Sequence, residues 1–341
     1  MIVETLIVGD QPGDDFTELN LAVDSLTDPR YVDGTVSVTI RVRRGTYSGD
    51  SCDLAGSGGW LLTCNIEAFD PTDKPVFDGT TSPVVPFIDA ALGGYESGVP
   101  TTFKTSFTNI IFRNYSGLST TIGQGFFIGG TGGAAASIDF IGCEFHNMTG
   151  GECLQRYSSD SDRQAIVDSC IFNDCQYGIL RGSGNDILVK NSVFSNYQRG
   201  SEPSDAFFAK IHVTGGNTKV FNNSVAVALS SPGTQDIVTA CSASNNAMIV
   251  NPDNGNIDGI YVEKYGGNVI FFAGPSSGRE INTLGDVQDL GSNITDENPD
   301  FTNPGGNDLT ISATSPAAQN GIELLDVTDD IAGAPRGRYH T

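Results

Sequence analysis

Residues 142–148 read GCEFHNM, and the same grammar returns as SCIFNDC at 169–175, as NSVFSNY at 191–197 and, upstream, as NIIFRNY at 109–115. Set in register on Phe112, Phe145, Phe172 and Phe194, the segments agree column by column. Two places after the phenylalanine stand Asn114, Asn147, Asp174 and Asn196, and three after stand Tyr115, Met148, Cys175 and Tyr197. Two before it are Ile110, Cys143, Cys170 and Ser192. Three before are the small, turn-prone Asn109, Gly142, Ser169 and Asn191, and five before are Phe107, Phe140, Val167 and Val189. Unrelated strands would not keep one chemical character per column.

The columns alternate inward and outward along short strands, and the phase resets at the small polar residues, which is the pattern of two strands joined by a tight turn. The frame continues through NSVA (223–226), NAMI (246–249) and NVIF (268–271), a reading that puts Ala226, Ile249 and Phe271 in the phenylalanine column. The steps from Phe112 onward are then 33, 27, 22, 32, 23 and 22 residues. A base period near 22 with loop insertions is one turn of a solenoid per repeat, and strands this short can pair only with the coils above and below.

This pattern resembles the right-handed, pectate-lyase-like parallel β-helix superfamily over most of the chain. The resemblance implies an all-β, single-stranded right-handed parallel β-helix, with an N-terminal capping α-helix and an irregular C-terminal cap. It also implies that the Asn/Asp column forms an internal ladder, each side chain bonding to its equivalent in the next coil. The expected divisions, within one domain, are a cap helix and first coil at 1–48, coils with insertions at 49–280 and a closing segment at 281–341. In DDFTELNLAVDSL, Phe16, Leu19, Val23 and Leu26 share a helical face, and Asp15 with Glu18 reads as a capping box. In GTVSVTIRVRRGTY, Val36, Val38, Ile40 and Val42 alternate as in a strand. Residues 298–321 and DDIAGAPRG at 329–337 resemble the closing segment of β-helix surface proteins of bacteria and phages.

Composition agrees with strands and turns: 38% of residues are hydrophobic and 42 are glycine. No apolar run approaches the roughly 20 residues of a membrane helix. The N-terminus has no basic start, so it does not read as a secretory signal; synthesis and folding are expected in a cytosol. A net charge of −23 makes nucleic acid a repulsive partner. Seven cysteines, an odd number without zinc spacing, read as mostly free buried thiols, with a Cys52–Cys64 bridge as the alternative.

For chemistry, RYSSDSDRQAIVD offers Arg156, Asp160, Asp162, Arg163 and Asp168, with Asp174 and Arg181 one coil on. Two acids and two arginines on one groove suit calcium binding and proton abstraction, as in a polysaccharide lyase; the plainer reading is a solvated loop. NPDNGNIDG (251–259) carries Asp253 and Asp258 in an oxygen-rich, calcium-like composition but lacks the regular calcium-loop spacing, so a turn is the plainer reading. The pairs Asp14–Asp15 and Asp329–Asp330 read as a helix cap and part of the closing segment. His146 and Arg113 share the outward column after the phenylalanine. GQGFFIGGTGG (123–133) is a weak phosphate-loop candidate and reads better as a flexible insertion.

Polygalacturonase-type motifs do not occur in the sequence. The expectation is therefore a non-enzymatic structural protein displayed on a surface, foremost a bacteriophage capsid decoration or cement protein, with adhesion to a polysaccharide as an added role. It is expected at the virion surface, as a homotrimer contacting a capsid or other virion protein. It needs no cofactor, although Ca2+ remains open. The alternative is an extracellular carbohydrate-active enzyme, a lyase or depolymerase working in a groove on the side of the helix.

Overall fold

A computed structural model describes residues 2–27, 35–48, 52–53, 61–81, 88–89, 102–115, 126–129, 135–148, 152–157, 165–175, 177–180, 187–195, 211–212, 219–228, 234–251, 256–272, 281–295, 297–304, 308–322 and 324. They group into two compact units, the first up to Ile166 and the second from Val167 onward.

In the first unit, five long strands stack in parallel and in register: Ile2–Val8, Thr35–Val42, Leu61–Ala68, Thr102–Thr108 and Ala135–Ile141. The three-residue strands Thr46–Ser48, Val76–Asp78, Ile111–Arg113 and Glu144–His146 form a second parallel wall. A third wall joins Cys52–Asp53, Ile88–Asp89, Phe126–Gly129 and Glu152–Tyr157. The four coils from Thr35 to Tyr157 thus each contribute three strands where the sequence showed two. Residues 126–129, expected in a flexible insertion, are one of them, because two phenylalanines and an isoleucine supply a strand's apolar content.

The phenylalanine file exists. Ring centroids lie 5.2 Å apart for Tyr47 and Phe77, 5.9 Å for Phe77 and Phe112, and 5.4 Å for Phe112 and Phe145. Phe107 and Phe140 stack at 5.4 Å from the long wall and meet this file edge-on. Offset stacks at this spacing are what in-register parallel strands impose on identical side chains.

In the second unit, Phe172 stacks on Phe194 at 4.6 Å with planes 2° apart. The file then runs through Val225, Met248 and Ile270, all buried. The expected frame placed Ala226, Ile249 and Phe271 there and is corrected by one residue. The actual steps are 31, 23 and 22 residues, followed by 25 to the last coil. A one-residue slip preserves the alternation while exchanging the two faces of every strand, so alternation by itself could not detect it.

The small polar column is a backbone requirement. Asn109, Gly142, Ser169, Asn191, Asn222, Asn245, Gly267 and Ser292 all adopt left-handed φ between 51° and 65° at the corner before the short strand. Asn114, Asn147 and Asp174 do the same after it, at 59°, 51° and 57°. Glycine pays little for this conformation and asparagine or aspartate less than other residues. The repeated Asn/Asp two places after phenylalanine is therefore a corner.

That column is not the internal ladder. Asn147 Nδ2 donates to Asn114 Oδ1 at 2.7 Å and Asn114 Nδ2 to Asp78 Oδ1 at 3.1 Å, but Asn147 is exposed and Asn114 half-buried. Asn196 lies outside the described residues. The buried ladder is in the column two places before the file, occupied by Ile110, Cys143, Cys170 and Ser192 and then by Asn223, Asn246, Asn268 and Asn293. Asn223 Nδ2 donates to Asn246 Oδ1 at 3.1 Å, Asn246 to Asn268 at 3.0 Å and Asn268 to Asn293 at 3.1 Å. Each inner rung also bonds backbone groups of neighbouring coils, so the amides of these rungs are satisfied.

The chain begins with a strand, Ile2–Val8, that the sequence reading passed over. The helix is short, Leu19–Asp24, and buries Leu19, Ala22 and Val23; Leu26 is buried just beyond it. No capping box forms. Glu18 makes no side-chain cap bond, and Asp15 Oδ2 instead accepts from Ile7 N at 2.8 Å. Asp14 accepts from Arg43 Nε at 2.7 Å, tying the loop to the next coil. Cys64, Cys143, Cys170 and Cys175 are buried free thiols, which corrects the Cys52–Cys64 alternative. Burial pushes the Cys64 thiol up to about 12.

Within the second unit, residues 298–304 and 308–322 lie on the flank of the coils. A hairpin of Phe301–Asn303 and Asp308–Ile311 precedes the helix Pro316–Gln319, whose N-terminal Ser315 Oγ accepts from Ala317 N at 3.0 Å. Phe301, Leu309 and Ala317 pack on Ala226, Ala247 and Val269, the outward residues of the short-strand wall. Ile322 then exchanges two hydrogen bonds with the Asn245 amide, both 2.8 Å. Leu324 covers Leu188 and Phe221.

Candidate functional site

The richest cluster of titratable side chains among the described residues is on the outward face of the short-strand wall in the first unit. Register places Asp78, Arg113 and His146 in one column on successive coils, as expected for Arg113 and His146. Arg113 Nε donates to Asp78 Oδ2 at 2.7 Å. Glu144, two residues before His146 on the same strand face, has Oε2 2.9 Å from His146 Nε2. Lys74 reaches across two coils to Glu144 Oε1 and the Gly142 carbonyl, each at 2.8 Å.

Hydrogen bonding from His146 and Lys74 outweighs partial burial and holds Glu144 at about 2. Burial pushes Asp78 up, but donors from Thr80, Asn114 and Arg113 overcome it and leave the carboxyl well below the usual range. Both carboxylates are anionic at neutral pH. Glu144 is thus an acceptor that orients the imidazole, and not a proton donor near pH 7.

Similar pairs stand elsewhere on the outward surface among the described residues. Arg41 Nε is 2.9 Å from Glu67, Lys104 Nζ 3.4 Å from Asp139 and Arg44 3.3 Å from Asp73. In the second unit Lys190 is 3.0 Å from Asp168, whose other oxygen accepts from Ser169 and Asn191. Asp168, read from sequence as a member of a lyase groove, is an intercoil tether.

Asp160, Asp162, Arg163, Arg181 and Asp253 lie outside the described residues. Arg156 is in the strand Glu152–Tyr157, paired with Ile128. Asp258 stands opposite Asp236 within the strand Asn256–Gly266, so residues 256–259 are extended backbone and the turn reading is corrected there. Among the described residues, no group of three or more His, Cys, Asp or Glu is placed to hold a metal ion.

Sequence reasoning found the Arg113–His146 column but missed Lys74 and Glu144. Lys74 stands three places before Phe77, where later coils carry a small left-handed residue, and a lysine without left-handed φ breaks that pattern; the anomaly was the available signal. No protein-family model, no curated protein and no solved structure matches the chain.

Proposed function

We propose that this chain is a non-enzymatic structural protein displayed on a surface, foremost an exterior component of a bacteriophage virion such as a capsid decoration or cement protein. The observation that supports this reading is the pairing of outward cations with carboxylates among the described residues: Lys74 with Glu144, Arg113 with Asp78, Lys104 with Asp139, Arg41 with Glu67 and Lys190 with Asp168. These groups clamp one coil to another or brace a single face. A catalytic groove instead needs a charged group left free to meet substrate. In this reading the coils wind right-handed, the Leu19–Asp24 helix closes the first coil, and three copies assemble on a capsid or other virion protein. The acidic remainder of the surface stays solvated, and adhesion to a polysaccharide is an added role.

Mass spectrometry of purified virions tests the proposal. The chain is expected in stoichiometric amount and in contact with a shell protein after cross-linking. The carbohydrate-active alternative predicts eliminative or hydrolytic cleavage of a polysaccharide by the purified chain, with calcium supplied, and loss of that activity on substituting Asp162 or Arg163. Such activity would overturn the structural reading.

A further inference from the structure

The closing segment, residues 298–304 and 308–322, is held differently from the coil strands. Those strands pair along ladders, whereas the hairpin of Phe301–Asn303 and Asp308–Ile311 forms a two-stranded sheet of its own. Ser315 Oγ donates to the Pro299 carbonyl at 2.6 Å, Asn320 Nδ2 donates to the Pro316 carbonyl at 2.9 Å, and the Thr302 and Thr310 hydroxyls are 2.9 Å apart. The segment thus carries its own internal order, and its departure breaks no coil ladder. Elements attached in this way open at a lower free energy than the ladders beside them.

The seat beneath it fits this one peptide. Phe301, Leu309 and Ala317 pack on Ala226, Ala247 and Val269, with Val193 and Ile294 at the margins. A Cβ on Gly266 would lie 2.9 Å from Ile322 Cδ1, and one on Gly267 would lie 3.0 Å from Ile322 N, so two glycines make room for Ile322. The Asn245 amide then takes the Ile322 N–H and carbonyl, each at 2.8 Å. Uncovered, the seat would be an apolar stripe in water, which proteins bury against a partner. The same wall of the first unit carries outward Asp78, Arg113, Glu144 and His146, which need no such cover. Between Thr295 in the last coil and Phe301 in the hairpin, the chain turns through Pro299 and Asp300. Asp300 is left-handed at φ 54°, and its N–H donates to Asn298 Oδ1 at 2.9 Å. Short hinges that hold a residue in such a conformation favour exchange of the element beyond them.

We propose that the closing segment is exchanged between copies of this chain, so that Phe301, Leu309, Ala317 and Ile322 of one copy occupy the seat at Ala226, Ala247, Val269 and Asn245 of another. The occupant is a second copy because its segment alone reproduces every contact just described, while the hinge straightens and releases the left-handed Asp300. The stripe is never left to water. Passed on in one direction, exchange among three copies closes a ring. It is then the contact that holds the homotrimer of the structural reading; the number three rests on that reading, and the exchange itself does not.

The test mixes two preparations of the full chain, one uniformly isotope-labelled, each carrying Phe301→p-benzoylphenylalanine. They are unfolded together in urea, refolded and irradiated, and mass spectrometry reads the peptides joined between position 301 and residues 226–269. Mixed-isotope pairs in the proportion of random mixing are expected. Same-isotope pairs alone would overturn the proposal. Leu309→p-benzoylphenylalanine reads the same seat should the first variant fail to fold. Independently, the unmodified chain should sediment as an oligomer. A glycine–serine insertion between Glu297 and Asn298, which lets each segment reach its own seat, should shift it toward monomer. A monomeric unmodified chain, or an oligomer whose mass the insertion leaves unchanged, would also overturn the exchange. Virion mass spectrometry reads the structural proposal separately: monomers found in virions would sink the exchange alone, and exchanged oligomers absent from virions would sink only the virion reading.

Discussion

Replacing Asn246 by leucine removes the centre of the buried ladder while keeping the branching and the number of side-chain heavy atoms. The native side chain, 1% exposed, accepts at Oδ1 from Asn223 N and Asn223 Nδ2, both at 3.1 Å. Its Nδ2 donates to the Val220 carbonyl and to Asn268 Oδ1, both at 3.0 Å. Leucine leaves the Asn223 backbone N–H and one of its two Nδ2–H groups buried without an acceptor, while the Nδ2 bond to the Val189 carbonyl remains. An orphaned buried group costs about 1–3 kcal/mol, so the expected loss is about 3–5 kcal/mol. That is a large share of the stability of an ordinary domain. The control is Asn147→Gly in the column that sequence had marked as the ladder. It removes one exposed hydrogen bond, keeps the left-handed corner and should cost about 1 kcal/mol or less. The assay is urea unfolding followed by circular dichroism. Hydrogen exchange of the flanking strands would assign each transition, because two compact units need not unfold in one step. A loss below about 1 kcal/mol for Asn246→Leu, or an equal loss for Asn147→Gly, would refute the placement of the ladder.

Three further outcomes are expected. Phe172→Ala, which removes a fully buried ring stacked on Phe194, should cost about 3–5 kcal/mol by the same unfolding assay. Gly267→Ala sets a Cβ against Asn245 Oδ1 and Ile322 N at a positive φ, so limited proteolysis should cut within residues 298–322 while the preceding coils persist. Glu144 is lowered on folding from 4.5 to about 2, so its stabilising contribution is present above pH 4.5 and is lost as pH falls toward 2. At about 1.4 kcal/mol per unit this is at most about 3 kcal/mol, and solvent screening at a partly exposed site reduces it to about 1–2 kcal/mol. Glu144→Gln should flatten that acid limb of the stability–pH curve.

The parts legible in sequence were those where one large side chain recurs. Phe112, Phe145, Phe172 and Phe194 announced the coil because few chains repeat an aromatic in the same frame by chance. Where Val225, Met248 and Ile270 take over, the doublets Asn222–Asn223 and Asn245–Asn246 gave two equivalent starting points, and the frame slipped by one. The roles of the two asparagine columns were exchanged for a related reason. Asparagine serves both as a left-handed corner and as a buried rung, and sequence spacing does not separate the two. The flank position of residues 298–322 had no local signal, since it depends on the outward Ala226, Ala247 and Val269 being apolar, and that face could be assigned only once the register was known. Lys74 and Glu144 are 70 residues apart, and their meeting follows from coil stacking, with no motif to mark it.

A density map of this protein at side-chain resolution tests the central claim most directly. The account predicts a continuous inward file in the second unit, Phe172 on Phe194 and then Val225, Met248 and Ile270, with Asn223, Asn246 and Asn268 stacked in the adjacent corner. A map placing Ala226 beneath Phe194, or those three asparagines facing solvent, would contradict it.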